Sequence, residues 1–122
     1  MIVFLIDDDS EEAELFAEAI GRIGSSIELM YFENGLDALA ALNHAKPDLI
    51  FLDLNMPLLS GKEVLKMLRE RKDSSKIPIV IYSTSISQKD ADDTQAFQVK
   101  RYLQKPENFN ALCTSLTELL TS

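Results

Sequence analysis

Short runs of consecutive apolar residues alternate along this chain with longer stretches in which apolar residues return every three or four positions. The opening run, Ile2 to Ile6, is continuous and suits a strand buried on both faces. Asp9 and Ser10 offer helix N-cap oxygens, and Glu12 stands where it completes a capping box from Asp9. A stripe of Leu15, Phe16, Ala19, Ile20 and Ile23 then predicts a helix closed by Gly24. Residues 27–32 read as a second strand. Asn34-Gly35 turns into a helix carrying Leu36, Leu39 and Leu42, which Pro47 stops.

Leu49 to Leu52 is the most strand-like run in the chain. Residues 55–61, with Pro57 inside, form a loop. Val64, Leu65 and Leu68 mark a third helix, with Lys62, Lys66, Arg69 and Arg71 on its wet side. After a polar turn at 72–76, residues 77–82 predict a fourth strand and 99–104 a fifth. Between them lies a mostly polar helix, 87–98, whose few apolar anchors are Ala91, Ala96 and Phe97. Phe109, Leu112, Leu116 and Leu119 stripe a final helix. Five strands alternating with five helices imply an α/β sandwich of three layers, a parallel sheet with right-handed crossovers and helices on both faces. Such sheets collect their reactive residues at the carboxyl ends of the strands. One site is therefore expected from three distant places: after Ile6, after Leu52, and after Tyr82 or Gln104.

Length sharpens this to one domain, 1–122, with no room for a second. The formal charge of −8 argues against a binder of nucleic-acid backbones and against attraction to anionic membranes. The single cysteine, Cys113, cannot close an internal disulfide and fits a reducing compartment. The apolar opening has no basic flank and is too short for a signal peptide or a membrane span. A cytoplasmic protein is expected.

Candidate chemistry sits where the topology puts it. Asp7, Asp8 and Asp9 follow the first strand and Asp53 ends the third. If those strands are neighbours, the carboxylates converge, and like charges that close raise one another's pKa unless a cation intervenes. Hard oxygens with room for water suit Mg²⁺. Asp9 reads as the helix cap, but Asp53, ending a fully apolar run, needs a charge partner. Lys105 before Pro106 can pair with a carboxylate or an incoming phosphate. Ser83 and Thr84 supply hydroxyls for a phosphoryl oxygen.

Together these pieces resemble a known family. Ile6-Asp7-Asp8-Asp9, Asn34-Gly35 with Ala38-Leu39, the run from Pro47 to Asp53, Met56-Pro57 with Gly61, Ser83-Thr84, and Tyr102-Leu103-Gln104-Lys105-Pro106 stand in the order seen in response-regulator receivers, over essentially the whole chain. The resemblance implies a doubly wound, flavodoxin-like (βα)5 fold with strand order 2-1-3-4-5. It implies that Asp53 is the phosphoacceptor, that Asp8, Asp53 and the backbone carbonyl of Asn55 ligate Mg²⁺, and that Asp7 acts through a metal-bound water. Lys105 and Ser83 would hold the phosphoryl group, and Tyr102 would turn inward once Ser83 moves. Output would leave by the face of the fourth helix, fifth strand and last helix, with Lys100 and Arg101 as polar contacts. The implied partners are a sensor histidine kinase or histidine phosphotransfer protein and a downstream protein target, with no output domain after the last helix. Ser83-Thr84-Ser85 and the loop before Gly61 resemble small regulators paired with phytochrome-type kinases, some of which dimerise, so a homodimer is among the expectations. Lys105-Pro106 is by the same likeness a candidate cis peptide.

Two departures are visible: Gln98-Val99 stands where the family often has Gly-Ala, and Ser83 replaces the commoner Thr. Asn55 and Ser85 occupy positions that tune acyl-phosphate hydrolysis in the family. Two other readings compete. A Mg²⁺-dependent phosphohydrolase would need an acid two residues after the nucleophile, where this chain has Asn55. A phosphorylation-independent interaction module would not need the full set of Asp7, Asp8, Asp53, Ser83 and Lys105. His44 reads as a surface residue and Cys113 as packing. Glu11, Glu12, Glu14 and Glu18 form a solvated helix face that in receivers also meets the phosphodonor.

Overall fold

The computed structural model describes residues 1–121. Its sheet is parallel and five-stranded: β1 (Ile2–Ile6), β2 (Glu28–Phe32), β3 (Leu49–Leu52), β4 (Ile79–Ser83) and β5 (Arg101–Gln104), in the order β2-β1-β3-β4-β5. Helices α1 (Ser10–Ile23), α2 (Gly35–Ala41), α3 (Gly61–Glu70), α4 (Gln88–Thr94) and α5 (Phe109–Thr121) make the crossovers. The alternating pleat divides the core in two. Phe4, Ile6, Ile50, Leu52, Ile79 and Ile81 face α2 and α3, while Val3, Leu5, Phe51, Val80 and Tyr82 face α1 and α5. Both faces of β1, β3 and β4 are covered, which is why those strands read as unbroken apolar runs. The flavodoxin-like fold expected from the sequence is the one found.

Local details differ where a long side chain or a backbone angle decides. Leu15 and Leu36 were expected in the helical stripes, yet they are 45% and 65% exposed, because one position of helical rotation carries each past the edge of its buried face. Asp9 caps α1, accepting from the Glu11 and Glu12 amides, but the capping box stays open. The Glu12 carboxylate turns instead to the phenol of Tyr82 at 2.7 Å. Helix α2 ends at Ala41 before Pro47 is reached, its last carbonyls taken by the tighter turns Leu42 to Leu39, Asn43 to Ala40 and His44 to Ala41. The Lys105–Pro106 peptide is trans, since no cis bond occurs among the described residues. Trans is the lower-energy isomer even before proline.

The region around α4 departs furthest from expectation. The helix stops at Thr94, continues as a 3-10 turn (Gln95–Phe97), and breaks at Gln98, whose φ of 57° is left-handed. Glycine takes that angle without cost, whereas Gln98 holds it with a side chain that disfavours it. Thr94 is the one fully buried residue of α4. What fastens the helix is polar: Lys62 on α3 reaches Asp90 at 2.8 Å and Asp93 at 3.0 Å. Arg69, expected on the wet side of α3, is half-buried and donates to the carbonyls of Ser74, Ser75, Ile77, Phe97 and Gln98. It clasps the α3–β4 turn to the corner that ends the 3-10 turn.

Candidate functional site

Because β1 and β3 pair with Ile6 opposite Leu52, the residues that follow them, Asp7 and Asp53, emerge side by side. The Asp53 amide closes that register on the Ile6 carbonyl at 3.0 Å. Asp7 is fully buried, Asp53 is 4% exposed and Asp8 is open to solvent. Carboxylate oxygens of the three lie within 4.8 Å of one another. Asp8 and Asp53 border a cleft of about 570 Å³ lined also by Asn55, Thr84 and Lys105, with the first turn of α1 on its other side.

The two oxygens of Asp53 are unequal. Oδ1 accepts from the Ser83 hydroxyl at 2.9 Å and from the Asn55 amide at 3.1 Å. The Asn55 side-chain amide in turn donates to Ser83 Oγ at 3.0 Å, so the Ser83 proton is aimed at Asp53. Oδ2 has Lys105 Nζ 3.7 Å away. Lys105 is placed by its own backbone, whose amide meets the Ser83 carbonyl at 2.8 Å. Its ammonium lies 2.7 Å from Asp7 Oδ2, off the angle of a hydrogen bond, so that buried oxygen has an ion pair but no aligned donor. Burial is the main force on Asp7 and pushes it up to about 6, against the Lys105 ammonium, which pulls it down. Burial also works against the Lys105 charge, but the ion pair with Asp7, with Asp53 behind, outweighs it and raises the pKa.

Three carboxylates whose oxygens lie within 4.8 Å of one another, one of those oxygens buried without an aligned donor, are the donor set a small hard cation satisfies. Asp7, Asp8 and Asp53 therefore fit a divalent metal.

Two features of the site had no role assigned to them from the sequence. Tyr82, the residue before Ser83, floors the site from below. Its ring meets Phe16 and Phe51 edge-on, and Lys105 Nζ lies over it, 5.6 Å from the centroid. Burial, and after it the bond to Glu12, raises the Tyr82 pKa. Glu12 was expected to be part of a solvated face, and the only signal against that was a helix position four before Phe16. The second feature is Gly61. A Cβ there would collide with the Asp53 carbonyl oxygen, so α3 can begin against the end of β3 only with glycine.

The remaining candidates fall where their elements put them. Thr84 and Ser85 are exposed above the cleft. Tyr102 lies outward on β5, its hydroxyl 2.7 Å from Thr94 Oγ1 and within 3.4 Å of the Ala91 carbonyl. His44 is exposed, and Cys113 packs against the α1–α5 core.

A family model described as the response regulator receiver domain matches residues 3–117. Response regulator Rcp1 of Synechocystis sp. is 31% identical over 118 residues, spanning 91% of this chain and 80% of Rcp1. Among solved structures, the phosphorylated cyanobacterial phytochrome response regulator RcpA superposes with a TM-score of 0.87 at 30% identity, covering 99% of this chain and 95% of that one. The Mn²⁺-bound form of Rcp1 gives a TM-score of 0.84 at 29% identity over 97% of this chain and 90% of that one.

Proposed function

The chain belongs to the response regulator receiver family, and from that premise we propose that Asp53 accepts a phosphoryl group from a phosphohistidine on a sensor histidine kinase or histidine phosphotransfer protein. The observation that carries this reading is the Asp53 carboxylate: almost buried, one oxygen held by two donors, the other open to the cleft and 3.7 Å from Lys105. The less encumbered oxygen attacks phosphorus, the phosphorus–nitrogen bond to the donor imidazole breaks, and an acyl phosphate forms.

Receivers bind Mg²⁺ at an acidic pocket, and when bound it neutralises the oxygens of the transferring group. Asp8, Asp53 and the Asn55 carbonyl would hold it directly, and Asp7 through a water. The orphaned Asp7 oxygen and the metal carried by Rcp1 support that set.

The phosphoryl group brings a charge of about −2 and strong acceptor oxygens. Lys105 leaves Asp7 for one of them, and Ser83 redirects its proton from Asp53 to another. Tyr102 turns inward as the space beside Ser83 opens, giving up Thr94 and Ala91. The face of α4, β5 and α5, with Lys100 and Arg101 at its rim, then meets the downstream target or a second copy of the chain. We read residues 1–122 as one receiver domain, a signalling phosphoacceptor acting in the cytoplasm beside its donor. No described helix is long and apolar enough to cross a membrane.

The test is intact mass after incubation with acetyl phosphate, with and without Mg²⁺, on wild type and Asp53→Asn. One phosphoryl adduct is expected, dependent on Mg²⁺ and absent from the variant. A folded protein that takes no phosphoryl group in any condition overturns the reading.

A further inference from the structure

The role of Lys105 needs its ammonium to sit between two acids and still be free to change partners. Of its surroundings, Asp7 Oδ2 is 2.7 Å away, Asp53 Oδ2 is 3.7 Å away, and the third boundary is the face of Tyr82. A side chain that is only 10% exposed has little water to lean on. An ammonium within about 6 Å of an aromatic centroid is attracted by the negative face of the ring, more so when desolvated. The ring has no freedom to drift. Phe16 and Phe51 brace it at 5.5 and 6.1 Å, and Glu12 anchors its hydroxyl at 2.7 Å. Phe16 and Glu12 are four residues apart on α1, so one helix face positions both ends of the phenol.

Accepting a bond from the phenol also polarises it. A carboxylate on the O–H pushes electron density toward the oxygen and ring, and strengthens the ring's hold on a cation across it.

We propose that Tyr82, anchored by Glu12, is a positioning residue for phosphoryl transfer: its ring is the platform on which Lys105 slides from Asp7 to the phosphoryl oxygens of Asp53. This rests on the phosphoacceptor reading above and adds a residue pair that the acidic pocket itself does not contain. The platform favours no particular acid, because the attraction of a π face is broad in direction. It holds the ammonium at the right height while the charged partner changes.

The test compares wild type, Tyr82→Phe, Tyr82→Leu and Glu12→Gln, using acetyl phosphate and Mg²⁺. Tyr82→Leu removes the π face and should lower the saturating rate of Asp53 phosphorylation about fivefold, the rate equivalent of about 1 kcal/mol. The concentration of acetyl phosphate at half-saturation should stay unchanged. Tyr82→Phe keeps the ring and should recover most of that loss, at about half the wild-type rate. Glu12→Gln should match it, and the two should not add when combined. The second readout, the side-chain NMR signals of Lys105, tests whether the ammonium end lies over the ring in solution. Its terminal CH₂ protons should lie upfield in wild type, Tyr82→Phe and Glu12→Gln, and return to the ordinary position in Tyr82→Leu. A folded Tyr82→Leu with wild-type rate, or with unmoved Lys105 signals, overturns the proposal alone. Failure of the wild type to take a phosphoryl group would overturn the receiver reading, and the role in transfer with it.

Discussion

Replacing Arg69 by Met keeps the length of the stem and deletes the guanidinium that clasps two turns together. Its Nε donates to the Phe97 carbonyl at 2.7 Å and Nη1 to the Ile77 carbonyl at 2.8 Å. The contacts to Ser74, Ser75 and Gln98 are longer, at 3.2 to 3.3 Å. Nη1 has two protons for three acceptors, so the clasp amounts to about four bonds. Hydrogen bonds from a charged donor contribute about 1.5–3 kcal/mol each when the acceptors stay dry on its removal. Phe97 and Gln98 lie at a corner that water can reach, although Ser74 and Ile77 are buried, and no acid pairs with the guanidinium among the described residues, so burial lowers its pKa. Taking the lower end, about 6 kcal/mol for four bonds, and halving it for both effects leaves about 3 kcal/mol. With a urea slope of about 1.5 kcal/mol/M for a domain of this size, the midpoint should fall by roughly 2 M at unchanged slope. Arg69→Lys should lose more than half as much, because one ammonium cannot span both turns. The measurement is equilibrium urea unfolding followed by circular dichroism. A shift under about 0.5 M for Arg69→Met would refute the clasp.

Other outcomes follow from the same geometry. Gln98→Gly should stabilise the protein by about 0.5 kcal/mol, since relief of the left-handed angle exceeds the entropy glycine adds to the unfolded chain; a lower thermal midpoint would count against it. Asp7, raised from 3.8 to about 6 by burial, keeps its proton in the folded chain where the unfolded chain has lost it. The contribution of Asp7 to metal-free stability should therefore be fully present below the unfolded value and be lost as pH rises from about 4 to 6. Thermal midpoints in chelator should show that slope, and Asp7→Asn should flatten it. Lys62→Gln removes the cation that joins Asp90 and Asp93 to α3 and should speed amide exchange in α4 several-fold while global unfolding hardly changes. Exchange equal to wild type would mean that Thr94 and the Arg69 clasp hold the helix unaided.

The sequence was informative wherever position along the chain determines environment. Ile2 to Ile6 and Leu49 to Leu52 could be buried only on two faces, which placed both strands inside a parallel sheet, while the order 2-1-3-4-5 that brings Asp7 beside Asp53 came from the family resemblance. It was less informative wherever a long side chain chooses among partners distant in sequence. Nothing local distinguishes Arg69, which wraps two turns, from Lys66, which stays in solvent beside Glu70. Glu12 had a nearby use as a capping residue, and a buried phenol that the helix passes only in the folded chain outcompeted it. Leu15 and Leu36 show the related limit for apolar residues. Periodicity gives the spacing of a stripe, but its edge is set by the neighbour that covers it. At Gln98 a side chain that disfavours the left-handed angle holds it anyway, because Arg69 takes its carbonyl and fixes the corner.

The strand order has a further consequence, for assembly. β1 is the first strand made, yet it sits inside the sheet, and its partner β3 begins only at Leu49. The Asp48 carboxylate that receives the Ile2 amide is 46 residues away. Parallel pairing of this kind is slow to nucleate, because the closure entropy of each crossover precedes any reward. Lys105 comes later still, behind β5. A chain emerging from the ribosome thus carries its aspartates early, as ordinary solvated acids far apart. They become a charged cluster only when nearly the whole chain is present to enclose them. The acidic cluster is in this way a property of the closed sheet, because Lys105, the cation that pairs with Asp7, enters only with β5 in place.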